Sequence, residues 1–130
     1  MLKRKKLIAG LLVIVLNALM IAPAYADVGY TNGTIDGYLC RGSINTTSSQ
    51  ATATTSISGA NAYLYARVEI LQIDAFGNGT WSYAANSKLD GSGISVTKTK
   101  SLQSTLVCGK GIFSFTLGGG TWTSTKTSEP

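Results

Sequence analysis

Hydrophobic and polar residues alternate most regularly between residues 62 and 74, in the stretch AYLYARVEILQID. One set of alternate positions is aliphatic (Leu64, Ala66, Val68 and Ile70), and the other carries Tyr63, Tyr65, Arg67 and Glu69. A period of two residues predicts a half-buried strand, and the length of this one places it at the centre of a sheet. After Ile70 the apolar positions shift by one residue, to Leu71 and Ile73, which indicates a bulge or a change of sheet.

Shorter alternating segments lie on both sides of this strand. They predict strands over residues 27–35, 38–44, 50–57, 80–87, 94–100, 102–108, 113–117 and 121–125. Turn signals rich in glycine separate or interrupt them: Asn32-Gly33, Asp36-Gly37, Ala75–Gly79, Asp90–Gly93, Gly109–Gly111 and Gly118–Gly120. Short strands with frequent turns are typical of a β-sandwich or a small barrel. We expect an all-β fold, a single small β-sandwich of about eight or nine short antiparallel strands.

The first 26 residues have a different composition. A cationic start (Lys3, Arg4, Lys5 and Lys6) precedes an apolar run, which ends in Pro23 and the small-residue site Ala24-Tyr25-Ala26. These are the parts of a secretory signal peptide, and the apolar run is short for a membrane anchor. We expect cleavage after Ala26, a β-sandwich domain at residues 27–130 and a secreted, extracellular product whose only membrane contact is the signal peptide before cleavage.

The net charge of the chain is +5, which by itself suggests an anionic partner. Four of the eleven basic residues belong to the predicted signal, so residues 27–130 carry 7 − 6 = +1. The basic character is therefore a targeting feature, and no nucleic-acid partner is expected.

Cys40 and Cys108 are the only cysteines of the chain. Because an exported protein meets an oxidising environment, we expect a disulfide between them, with two buried free thiols as the alternative. The alternation places Cys40 in the core, and places Cys108 in phase with Leu106. The predicted core consists of Leu64, Ala66, Val68, Ile70, Trp81, Leu106, Phe113 and Phe115.

Candidate catalytic patterns are weak. The chain contains no histidine, which excludes a Ser-His-Asp triad. Ser95 and Lys98 match S-x-x-K, but the alternation around them predicts a strand, on which the two side chains would lie on opposite faces. The acidic residues mostly occupy turns, and the segment Asp74–Gly79 predicts a hairpin loop rather than a calcium loop. We expect no enzyme activity, no cofactor and no metal site.

Aromatic residues are the remaining candidates for function. Tyr63 and Tyr65 lie opposite the aliphatic row of the central strand, and Trp81, Tyr83 and Trp122 are expected to join them. Such a row favours a secreted binding module that contacts a cell-wall glycan, a matrix polymer or another protein. A second hypothesis is a bacteriocin-like or pore-forming antagonist that acts through Ile94–Lys100. A third is an extracellular fibre or matrix component assembled through Tyr63–Ile73.

Overall fold

A computed structural model of the chain describes residues 27–130, so the predicted signal segment lies outside the described residues. No helix that could cross a membrane occurs in the described range. The eight strands are β1 (Asp27–Ile35), β2 (Tyr38–Thr46), β3 (Gln50–Ile57), β4 (Ala62–Ile73), β5 (Gly79–Asp90), β6 (Gly93–Thr99), β7 (Thr105–Leu117) and β8 (Gly120–Ser128).

The strands form two four-stranded sheets that pack face to face. Sheet A has the order β1-β2-β3-β6, and sheet B has the order β5-β4-β7-β8, with every paired strand antiparallel. β4 lies between β5 and β7, as its length and pattern predict. The predicted all-β sandwich is confirmed.

The turn between β1 and β2 forms where a local signal predicts it. Asp36 and Gly37 both have positive φ, 49° and 82°, as a two-residue type I′ hairpin turn requires. The neighbouring prediction of a turn at Asn32-Gly33 is wrong, because β1 continues through both residues. A Cβ atom at Gly33 would collide with the indole of Trp122, so this glycine makes room for a ring from sheet B.

The predicted turn at Gly109–Gly111 is also wrong. β7 runs without a break from Thr105 to Leu117, so the two segments predicted on either side of the glycines are one strand. A Cβ at Gly111 would meet the ring of Phe113 and the side chain of Ile44, and one at Gly109 would meet Thr46 and Ala51. These glycines therefore serve the close packing of the two sheets.

Apolar side chains fill the space between the sheets in two neighbouring clusters. The first consists of Ile35, Cys40, Ile57, Ala62, Leu64, Ala66, Ile94 and Phe115, and the second of Ile44, Ala51, Ala53, Val68, Ile70, Leu106 and Phe113. Val96 and Trp122 pack against both. Every predicted core residue is buried except Trp81, which is 54% exposed on the opposite side of sheet B.

Hydroxyl groups connect the sheets between these clusters. The buried Thr55 of β3 donates a hydrogen bond to the backbone carbonyl of Tyr65 in β4, 2.8 Å away. Thr31 and Ser124 lie 2.7 Å apart across β1 and β8, and Thr46 and Ser128 form a similar buried pair. Because each of these hydroxyls has a partner, these polar residues can occupy the interior without a large desolvation cost; the hydroxyl of Ser82 is the buried exception among residues 27–130.

A bulge in β7 decides which side chains of that strand face inward. Leu71 of β4 pairs with Cys108 and Gln72 pairs with Leu106, so Val107 is the extra residue. The predicted shift of the apolar positions in β4 is wrong, because β4 is unbroken and Leu71 and Ile73 stay on its outer face; the bulge lies beside Leu71, in the neighbouring strand. The inserted residue reverses the phase of β7, so Leu106 points into the core while Cys108 lies on the outer face of sheet B.

The predicted disulfide between Cys40 and Cys108 is wrong, since both cysteines are free. Cys40 is fully buried in the cluster that contains Leu64, whereas Cys108 pairs with Leu71, about 23 Å further along β4 (seven residues at ~3.3 Å). A disulfide needs Cα atoms within roughly 7 Å. Burial raises the pKa of the Cys108 thiol, with a further contribution from the charge of Glu129, and burial also raises the pKa of Cys40.

Substitution of Gly42 tests the packing around Phe113. A Cβ at Gly42 would overlap the Phe113 ring, so Gly42→Ala should lower the free energy of unfolding by about 1–3 kcal/mol. In a Phe113→Leu background, which is itself destabilised, the same substitution at Gly42 should cost less, because the ring that it would overlap is gone. Gly119→Ala is the matched control, since open space surrounds that position. Denaturant unfolding measures all four; equal effects at Gly42 and Gly119 would contradict the packing described.

The two thiols should differ in reactivity. We expect both cysteines to be alkylated in denaturant without prior reduction, and Cys108 to react well before Cys40 in the folded protein. Because the pKa of Cys108 is raised, its reaction rate should still increase with pH beyond the ordinary pKa of a thiol. Mass spectrometry of alkylated peptides follows each site, and a chain that resists alkylation until it is reduced would show that the cysteines are bonded.

Candidate functional site

The outer face of β4 and β5 in sheet B carries the exposed aromatic side chains. Since Leu64, Val68 and Ala84 face the interior, the residues between them face outward. We call the resulting surface the aromatic face; it comprises Tyr63, Tyr65, Arg67, Glu69 and Leu71 of β4 with Trp81, Tyr83, Ala85, Ser87 and Leu89 of β5. It extends about 27 Å along the strands, from Tyr63 to Leu71 (eight residues at ~3.4 Å).

Arg67 lies at the centre of the aromatic face and connects its two strands. Its guanidinium lies 3.8 Å from the ring centroid of Tyr83, and its Nε donates a hydrogen bond to Glu69 at 2.8 Å. Partial desolvation lowers the pKa of Arg67, but hydrogen bonds to Tyr65 and Glu69 outweigh it and leave the pKa above its ordinary value. The positive charge of Arg67 therefore has its partners on the aromatic face itself, where the guanidinium also lies over the Tyr83 ring.

Three rings of the aromatic face leave much of their surface open to solvent. Tyr63, Trp81 and Tyr83 are 53%, 54% and 58% exposed. The hydroxyl of Tyr63 lies 3.2 Å from that of Ser87, which ties the end of this ring to β5. Exposed rings whose positions are restrained by neighbours can bind a flat apolar surface with little further loss of entropy.

The structure brings together four of the five aromatic residues that the sequence nominates. Tyr63, Tyr65, Trp81 and Tyr83 share the aromatic face, with Tyr65 half-buried. Trp122 does not join them, because it packs inward against Phe115, with ring centroids 4.7 Å apart. Leu89 also belongs to the face, and sequence reasoning missed it because it lies beyond the predicted end of its strand.

The loop after β4 forms one end of the aromatic face and exposes Phe76. One carboxylate oxygen of Asp74 accepts hydrogen bonds from the backbone N–H groups of Phe76 and Asn78, both at 2.9 Å. The bond from Asn78 is the main reason that the pKa of Asp74 lies below its usual value. Asp74 thus orders this loop as a hairpin connection, which agrees with the sequence prediction.

The outer face of sheet A has a different chemistry. Hydroxyls pair across β3 and β6, with Thr52 and Thr97 at 2.8 Å and Thr54 and Ser95 at the same distance. At one end, an open depression of about 320 Å³ is lined by Leu39, Arg41, Ser56, Ile57 and Ser58. Since these hydroxyls already bond to one another, this face offers fewer free groups to a ligand than the aromatic face.

The Ser95 and Lys98 pattern lies in sheet A, apart from the aromatic face. Among residues 27–130, no group of three or more acidic, cysteine or histidine side chains is placed to hold a metal ion. Ser95 and Lys98 lie in β6 at positions of opposite orientation, because they are three residues apart on a strand. The segment around them is an edge strand of sheet A, with Ile94 buried and Val96 packed on the core.

Asp74 allows a test of the loop through its titration. In the folded state its pKa is lowered, so the stabilisation it provides is complete above the unfolded-state pKa and is lost as the pH falls through the folded-state pKa. Asp74→Ala should therefore lower the melting temperature at neutral pH, by an amount that shrinks in acid. Asp74→Asn, which keeps an acceptor oxygen but does not titrate, is the control; a difference that persists unchanged at low pH would contradict this role.

No protein-family model matches the chain, and no curated protein matches it at a significant level.

Proposed function

We propose that the protein is a small secreted, non-catalytic binding module whose aromatic face binds an extended cell-wall or matrix polysaccharide. The observation that carries the proposal is the set of exposed rings on neighbouring strands of one sheet, of which Tyr63 and Tyr83 are restrained by their neighbours. Rings of this kind stack on the apolar C–H faces of sugar rings, and they provide a large contact area at low entropy cost.

The shape of the face favours a polymer over a small molecule. Small-molecule sites are usually concave and enclose most of their ligand. The aromatic face is instead the outer surface of a sheet, and its length of about 27 Å is suited to a chain of several sugar residues. Ser87 adds a hydroxyl close to the rings, which can hydrogen-bond to the sugar.

The charge of the face favours a neutral glycan. Arg67 and Glu69 form an ion pair at the centre, and Lys110 of β7 pairs in register with Glu69 from the other side. A strongly anionic polymer would require unpaired cations, and the central arginine is already bonded to a carboxylate. The proposed ligand is therefore a neutral polysaccharide, and secretion through the segment at residues 1–26 would bring the module to it.

Alanine substitutions on the aromatic face should weaken binding to insoluble and soluble polysaccharides. Trp81→Ala and Tyr83→Ala are each expected to reduce affinity about tenfold, or ~1.4 kcal/mol for the loss of one stacked ring. The double substitution Tyr63→Ala with Tyr65→Ala should have a similar or larger effect. Affinity electrophoresis in gels that contain neutral cellulose derivatives or β-glucan measures these changes, together with pull-down on intact cell walls.

Tyr30 provides a matched control on the other sheet. It is 53% exposed and lies beneath Arg41, with the guanidinium 5.0 Å from the ring, so its surroundings resemble those of Tyr83. Tyr30→Ala should leave binding unchanged. Because the proposed ligand is neutral, binding should also be insensitive to salt. Failure of every wall polysaccharide to retain the protein, or equal losses at Tyr30 and Tyr83, would rule out the proposed function.

A further inference from the structure

β5 is a long edge strand whose outer backbone side has no partner among residues 27–130. It is the first strand in the order of sheet B and pairs only with β4. Its twelve residues contain no proline, and its register against β4 is unbroken from Asp90 to Gly79. Most edge strands are shortened, bulged or charged, because unpaired backbone groups otherwise recruit another strand.

The charges on β5 also permit association. Lys88 and Asp90 are the only charged residues of the strand, they lie 4.0 Å apart, and their charges cancel. The other three edges each carry a charge of one sign only: Lys98 in β6, Lys126 in β8 and Asp27 in β1. Two copies of β5 can therefore approach each other without the net repulsion that two copies of β6 or β8 would meet.

We propose that two copies of this chain associate through β5, antiparallel, to form one continuous eight-stranded sheet. In such a pairing, residues directly opposite each other lie on the same face of the sheet, so outward residues must meet outward residues. A two-fold axis through Ala85 satisfies this rule over eleven residues, from Thr80 to Asp90. Ala85 then faces the partner's Ala85, where a small side chain fits the axis.

The side chains of β5 are complementary to themselves in this register. Trp81 lies opposite the partner's Leu89, and the symmetry creates this apolar contact twice. Tyr83 lies opposite the partner's Ser87, and Lys88 opposite the partner's Ser82, so no like charges meet. A register centred on Ala84 would instead place Trp81 opposite Ser87 and Leu89 opposite Gly79, and both apolar contacts would be lost. The observed sequence therefore favours the axis at Ala85.

The dimer would place both aromatic faces side by side on the same side of the joined sheet. This inference does not depend on the proposed polysaccharide, because it rests on the unpaired backbone edge of β5 and on the match between the side chains of two β5 strands. If the ligand is a polymer, two adjacent faces can bind the same chain, and the second contact is then made at high effective concentration.

Cysteine cross-linking tests the register. In a Cys108→Ser background, Ala85→Cys should form a disulfide-linked dimer under mild oxidation, since the two copies of residue 85 meet at the axis. Ser87→Cys is the matched control on the same exposed face; its two copies would lie about 13 Å apart, four residues at ~3.3 Å, and should not cross-link. Cross-linking of Ser87→Cys at the same rate as Ala85→Cys would overturn the proposed register.

Charge at the axis tests the association itself. Ala85→Lys places two lysines opposite each other and should weaken dimerisation severalfold in a concentration series by sedimentation velocity. Thr125→Lys, on the exposed outer face of β8, adds the same charge away from the interface and should leave dimerisation unchanged. A protein that stays monomeric throughout the series, or a dimer equally affected by both substitutions, would overturn the proposal.

Discussion

The close approach of the two sheets around Phe113 is the constraint on which the rest of the structure depends. The ring is fully buried, and Gly42 of sheet A and Gly111 of its own strand leave the space that it fills. Trp122 occupies a similar space beneath Gly33 and contacts both core clusters. A domain of this size buries a modest core, so two large rings set into glycine positions contribute a substantial part of its apolar packing.

This packing determines what the outer surfaces can carry. Once the aliphatic positions of β4 lie beside Phe113 and Phe115 on the inner side of sheet B, the alternate positions must lie on its outer side, and they carry tyrosines and an arginine. The same constraint acts on β7, where the bulge at Val107 keeps Leu106 in the core and turns Cys108 outward. The character of the aromatic face is thus a consequence of how the interior is filled.

A ligand binds tightly to an open surface such as the aromatic face when the rings of that surface are both exposed and restrained. Arg67 holds the ring of Tyr83 from above, and Ser87 holds the hydroxyl of Tyr63 from the neighbouring strand. Because these contacts already order the two rings in the folded protein, the rings lose little further conformational entropy when a ligand binds. Association through the edge of β5 would have a related effect, because a second copy would add another ordered aromatic face without any new element of structure.

Local sequence patterns determined a large part of this protein. The two-residue period identified β4 and its buried side, and Asp36-Gly37 identified a type I′ turn, because these features depend on residues that are neighbours along the chain. The neighbours of a glycine along the chain do not show whether it lies inside a strand or in a turn. Gly33, Gly109 and Gly111 suggested turns in the sequence, but only the facing sheet reveals the side chains that need their space.

The tertiary structure alone decided which aromatic residues face solvent and whether the cysteines meet. The alternation assigns a side chain to one face of a strand but does not show whether another sheet covers that face. Trp122, expected at the surface, packs on the core, whereas Trp81, expected in the core and also among the surface rings, is exposed. The direction of Cys108 depends on the bulge that β7 forms against β4, and a shift of one residue moves a side chain to the opposite face. Register between distant strands is set by the packing of the whole core, which no local pattern contains.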